Sequence, residues 1–166
     1  MDTVWVLAIG ALGALVLAAL AVAFGGRGAP PAPDIHPLPT ATRAEALQRL
    51  DALLARDTAE VAEACRTALY EPDAPAHATI VYFHGLTNCP NQFAPAARVL
   101  RERGYRVLCI RQPHHGLTDL LNRELKDITV EELVACADEA VDIAVGFGDE
   151  LCLFGLSAGG VLVHWA

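Results

Sequence analysis

Apolar residues recur along this chain in different rhythms, and each rhythm predicts a different kind of element. From Val4 to Phe24 they run on without a charge. At about 1.5 Å of rise per residue such a run spans roughly 31 Å, the thickness of a bilayer's hydrocarbon core. This predicts a transmembrane helix or uncleaved signal anchor over residues 4–24. A cleaved secretory signal is the alternative, with Ala21-Val22-Ala23 as its cleavage site. Against it, the run is long for a signal and the preceding "MDT" carries no basic residue. Residues 25–40 read as a Pro/Gly-rich linker, kept extended by its prolines. A helical lead-in is predicted over 41–71. Thr42-x-x-Glu45 and Asp57-x-x-Glu60 each resemble a helix start, and Leu47, Leu50 and Leu54 form an apolar stripe.

From Ala78 the rhythm shortens. "ATIVYFHG" is the dense β-rich run of a strand buried on both faces. A helical segment follows, with Phe93, Ala97 and Leu100 on one side and Gly104 at the position after a helix end. "YRVLCI" reads as another strand. Thr129-x-x-Glu132 then opens a helix carrying Leu133, Cys136, Ala140 and Ala144 along one face, and "ELCLFG" is a further strand. Strand, helix, strand, helix, strand predicts an α/β fold with a parallel sheet over 78–166, preceded by one transmembrane helix.

Charge narrows the function classes. Twelve basic residues stand against twenty acidic ones, a net charge of -8. Such a balance disfavours a nucleic-acid partner, which needs a basic face. The five cysteines form no C-x-x-C pair and have no metal-ligand spacing to histidine, so neither a metal nor a cofactor is expected. Cys109, Cys136 and Cys152 read as small buried hydrophobes. Val61, Cys65 and Leu69 share a helical stripe, which reads Cys65 the same way. A Cys65–Cys89 disulfide in an oxidising compartment is the alternative.

Chemistry concentrates at the strand ends. Ser157, the chain's sole serine, lies in Gly155-Leu156-Ser157-Ala158-Gly159 between a strand and a helix. A nucleophile at such a tight turn projects clear of the sheet, and the helix beginning there aims its N–H groups at developing negative charge. Upstream, His84-Gly85 ends the first core strand, a geometry in which the backbone amides of Leu86 and Ala158 both point at an oxyanion. His84 and Gly85 are then structural parts of that oxyanion loop. Asn91 reads as an entrance residue or a helix N-cap. His114 and His115 follow the next strand; they shape a turn, or substitute for an absent base. His164, two turns after Ser157, reads as a core histidine.

"HGLTNCPNQF", "PHHG" and "GLSAGG", in this order, resemble the α/β-hydrolase superfamily, most closely its bacterial carboxylesterase or monoacylglycerol-lipase-like members. The resemblance covers Ala78 to Ala166. It implies a parallel sheet of the α/β-hydrolase type, Ser157 as the acylated nucleophile and a small-molecule or lipid-like ester as substrate. The triad acid and histidine of that fold follow the nucleophile in sequence. "AGGVLVHWA" contains neither partner and no helix stop signal. The chain therefore reads as the N-terminal portion of a membrane-anchored serine hydrolase, apparently truncated after the nucleophile elbow. A membrane-tethered, non-catalytic binding protein that keeps the elbow is the competing reading. A dehydrogenase is disfavoured, because "GLSAGG" lacks the glycine spacing that cradles a pyrophosphate.

Overall fold

The computed structural model describes residues 37–119 and 124–166, with Ala14 and Pro33 as isolated positions. The chain divides into two units, Met1–Ala32 and Pro33–Ala166. In the first, the described residue, Ala14, is helical; the predicted span over 4–24 and most of the linker otherwise lie outside the described residues. Among the described residues, no helix is long and apolar enough to cross a membrane.

The second unit opens with helix α1 (Arg43–Leu54), capped by the Thr42 hydroxyl, which accepts from the Glu45 amide. Its buried side is Ala46, Leu50 and Leu53, whereas Leu47 is exposed, so the stripe is rotated from the predicted Leu47-Leu50-Leu54. The second lead-in helix does not form. Asp57 instead accepts from the Thr67 amide at 2.6 Å and from Arg111 Nε at 2.5 Å, an ion pair that ties this segment to the sheet. A short 3-10 turn (Glu63–Cys65) then leads into strand β1 (Ala68–Tyr70), which the helical reading of this stretch concealed.

Strands β2 (Ala78–Phe83), β3 (Arg106–Ile110) and β4 (Glu150–Gly155) complete a sheet of order β1-β3-β2-β4. β2 is parallel to both β3 and β4, while β1 pairs antiparallel with β3. The sheet is therefore mixed rather than wholly parallel, because β1 meets β3 by doubling back and not through a helical crossover. Helix α2 (Ala94–Glu102) connects β2 to β3, α3 (Val130–Val145) connects β3 to β4, and α4 (Ala158–Trp165) follows β4.

Strand alternation sends side chains to both faces. Val81, Phe83, Leu108 and Ile110 pack against α1, α3 and Leu162 of α4. On the other face Tyr82, Val107 and Cys109 meet Ala97, Phe93 and Leu100. All five β3 residues are buried, as a strand covered on both faces requires. Helix α3 carries the complete capping box predicted at Thr129 and Glu132, and Gly104 takes φ +86 after α2, a conformation that disfavours any residue with a Cβ.

Burial of Cys109 and Cys136 pushes each thiol up to about 12. Cys152 is exposed, contrary to expectation, because β4 is an edge of the sheet in this unit. Cys65 and Cys89 form a disulfide, so the buried-hydrophobe reading of Cys65 gives way to the alternative. The bond spans 24 residues, and by chain entropy such a closure contributes about 3 kcal/mol. Residues 37–40, placed in the linker by sequence, dock on α3: the Leu38 amide donates to Asp142 Oδ2 at 2.8 Å and the Thr40 hydroxyl to Asp142 O at 2.7 Å.

Candidate active site

The turn from β4 into α4 forces its own residue types. Ser157 has φ 54 and ψ -118, a backbone state that costs of order 1–3 kcal/mol for a residue with a side chain. A Cβ on Gly155 would collide with the backbone of Gly159, and one on Gly159 would collide with the Phe83 carbonyl. These contacts press the turn against the end of β2, where the Leu156 amide donates to Phe83 O at 3.1 Å. Although Ser157 occupies the N-cap position of α4, its side chain makes no capping hydrogen bond. Ser157 is exposed and lines a hollow together with Gly160, Val161, His164 and Trp165.

The loop after β2 meets this turn. A Cβ built on Gly85 would stand 3.6 Å from Ser157 Cβ, so the His84-Gly85 segment abuts the serine. His84 is fully buried. Its Nδ1–H donates to Gly85 O at 2.9 Å, and its Nε2 accepts from the Gln112 amide at 3.2 Å. Gln112 closes the ring of contacts by donating Nε2–H to His84 O at 2.7 Å. Burial pulls the His84 imidazole down to about 4, only partly offset by the Gly85 hydrogen bond. The ring is therefore neutral near pH 7, the form that this donor–acceptor arrangement needs.

Gln92 braces the same loop from α2's side. Its Oε1 accepts from the Tyr82 hydroxyl at 3.0 Å and from the Gly85 amide at 3.3 Å, beneath a stack of Tyr82, Phe93 and Phe154. The loop's far end is pinned by the Cys65–Cys89 disulfide. Among the described residues, neither the Leu86 nor the Ala158 amide has a hydrogen-bond partner. That leaves two N–H donors at the edge of the sheet where the serine stands.

The remaining predicted residues take other places. His114, with φ 63, contacts Glu124 and Glu132, each at 3.3 Å. Burial works against its charged form, but the hydrogen bonds to Glu132 and Glu124 outweigh it and raise its pKa. His115 is buried against carbonyl oxygens of Pro113 and Leu86. Neither contacts the Ser157 hydroxyl, so the structure does not bring a substitute base to it. His164 is exposed rather than in the core, because its seven-residue spacing returns it to the face of α4 that Ser157 begins. Asn91 lies inside a 3-10 turn (Pro90–Phe93) whose N-cap is Cys89, and so caps no helix. Sequence reasoning passed over Gln112, Gln92 and Arg111. Polar residues directly after a buried strand were the available signal for Gln112 and Arg111.

Among the described residues no cluster of His, Cys, Asp or Glu is arranged to hold a metal ion. What the arrangement can do is present one hydroxyl, held in a strained turn, beside two backbone donors.

No protein-family profile matches the chain, and no curated protein matches its sequence. Among solved structures it is similar to one described under LipS and LipT, two metagenome-derived lipolytic enzymes. That likeness has 24% identity and a TM-score of 0.51 over 64% of this chain and 41% of the other. The apo form of Thermogutta terrifontis esterase 2 is also similar, at 24% identity and TM-score 0.43 over 58% and 38% of the two chains. The first likeness shows a shared fold. The chain spans about two fifths of the length of that lipolytic enzyme.

Proposed function

We propose that this chain is the nucleophile-bearing part of a membrane-anchored serine hydrolase that cleaves carboxylic esters through an acyl-enzyme. Ser157 at the strained turn, beside the unengaged Leu86 and Ala158 amides, is the observation that carries the reading. In acylation Ser157 Oγ attacks the ester carbonyl carbon and gives its proton to a general base. The carbonyl π electrons move onto oxygen, where the Leu86 and Ala158 N–H groups receive the charge. Collapse of this intermediate expels the alcohol, which takes up the proton, and water then releases the acid by the same route. One such backbone donor is worth about 2.7–4 kcal/mol to the transition state.

The acid and histidine that would activate Ser157 lie, on this reading, outside the chain. Two observations support that placement: no described side chain hydrogen-bonds the Ser157 hydroxyl, and the chain spans 41% of the lipolytic enzyme whose fold it shares. The substrate is a small-molecule or lipid-like ester. Residues 4–24 hold the protein in the membrane, and the Cys65–Cys89 disulfide favours the oxidising side for the unit that carries Ser157.

The test is phosphonylation. In protein extended to its full reading frame, a fluorophosphonate should modify Ser157, with the adduct located by mass mapping and abolished by Ser157→Ala. An esterase-active preparation in which Ser157 stays unmodified would overturn the proposal.

A further inference from the structure

We infer that His115 is a positioning residue for the oxyanion donor, acting with His84 as a two-imidazole clamp on Leu86. The inference rests on the proposed role of the Leu86 amide. A peptide unit is planar, so the direction of an N–H is set by whatever holds the carbonyl of the same unit. The Leu86 N–H shares its peptide with the Gly85 carbonyl, and that carbonyl accepts from His84 Nδ1 at 2.9 Å and from the Asn88 amide at 2.9 Å. This holds one side of Leu86.

The other side is held by His115. Its Nε2 lies 2.6 Å from Leu86 O, on the peptide that joins Leu86 to Thr87. Carbonyl oxygens only accept, so the clamp requires the proton on Nε2. Nδ1 stands 2.7 Å from Pro113 O. With both adjoining peptides fixed, neither φ nor ψ of Leu86 is free, even though Leu86 is 45% exposed. A half-exposed loop residue would otherwise be the weakest part of the site.

The clamp is itself supported. The His84 and His115 rings pack edge to face with centroids 4.8 Å apart. Arg111 Nη1 donates to His115 O at 3.2 Å while its Nε pairs with Asp57. The lead-in segment also meets the loop that carries His115: the Ala62 amide donates to Gly116 O and the Thr118 amide to Glu60 O, each at 2.8 Å. Cys65 packs so closely that a Cβ on Gly116 would lie 2.5 Å from its Cβ. His115 thus ties the Leu86 carbonyl to the segment that follows β3.

Two measurements test this. In the full 166-residue chain in detergent micelles, nitrogen NMR of the imidazoles should find His115 Nε2 protonated and its proton slow to exchange. A bare Nε2 would overturn the clamp without any variant being made. In His115→Phe, the Leu86 backbone order parameter should fall from the rigid range of about 0.85 to below about 0.6, while Val107–Ile110 stays protected from amide exchange. Fluorophosphonate labelling of Ser157 in the full-length protein should slow about tenfold, short of the about 10²–10³ for loss of a whole donor. His115→Gln, which retains an N–H donor, should recover part of both. Wild-type labelling at Ser157 with an unchanged rate in His115→Phe would defeat the inference and leave the hydrolase reading standing. A lowered Leu86 order parameter in His115→Phe of a protein whose Ser157 never reacts would defeat the hydrolase reading and leave the clamp.

Discussion

At the scale of single residues, the site depends on a histidine kept neutral. His84 is fully buried, and its imidazole is pulled down to about 4 from an ordinary 6.5. The unfolded chain therefore binds this proton as pH falls through 6.5, while the folded protein resists it until near pH 4. Stability contributed by the neutral ring is complete above about pH 6.5 and is lost progressively below it, at about 1.4 kcal/mol per pH unit within that window. Denaturant melts at pH 7 and pH 5 should differ in this direction. Ring carbon shifts of His84 should report the neutral form down to about pH 5; an imidazolium signal at pH 6 would contradict the assignment. Ser157 presents the complementary case, a residue whose importance lies in its backbone. Its φ of 54 is maintained by neighbours that leave the chain no alternative path.

At the scale of elements, that path is the strand–turn–helix unit of β4 and α4. Gly159→Ala should be severely damaging there, because the new methyl group meets the Phe83 carbonyl and either the turn or the end of β2 must move. A loss of more than about 2 kcal/mol is expected, the range of overpacking at a site that cannot relax. Gly85→Ala, with ordinary contacts at 3.5 and 3.6 Å, should cost far less, and thermal melts of the two variants distinguish these cases. This unit was legible in sequence because it is local: glycine spacing, an apolar strand and the start of a helix suffice to describe it. The stretch from Asp57 to Tyr70 was not. Its apolar residues Val61, Cys65 and Leu69 mimic a helical period, but each answers to a distant partner. Val61 bridges Leu117, Cys65 bonds Cys89, and Leu69 pairs with Leu108. Likewise the contact of His115 with Leu86 carries no local signature, since it arises only when two strand ends are brought side by side.

At the scale of the whole molecule, these distant ties make the lead-in a brace for the site. It grips the loop after β3 through main-chain hydrogen bonds and Arg111, and the loop after β2 through the disulfide. The opposite edge is less finished: Leu151, Cys152 and Phe154 of β4 are exposed, an apolar margin of the kind that recruits a further strand. If the unit works in an oxidising compartment, cells quenched in acid and alkylated should yield Cys65 and Cys89 unmodified until reduction, with Cys109, Cys136 and Cys152 alkylated. Free Cys65 and Cys89 thiols in such cells would overturn that placement.

The pairing of Cys65 with Cys89 also bears on how the protein is made. These are the first two cysteines along the chain, and Cys109, Cys136 and Cys152 all follow them. On a polypeptide emerging N-terminus first, the correct bond can close while no competing thiol yet exists. The order of synthesis thus selects the pairing that the finished fold uses, and the brace around the oxyanion loop can be secured before the strand that delivers Ser157 has been translated.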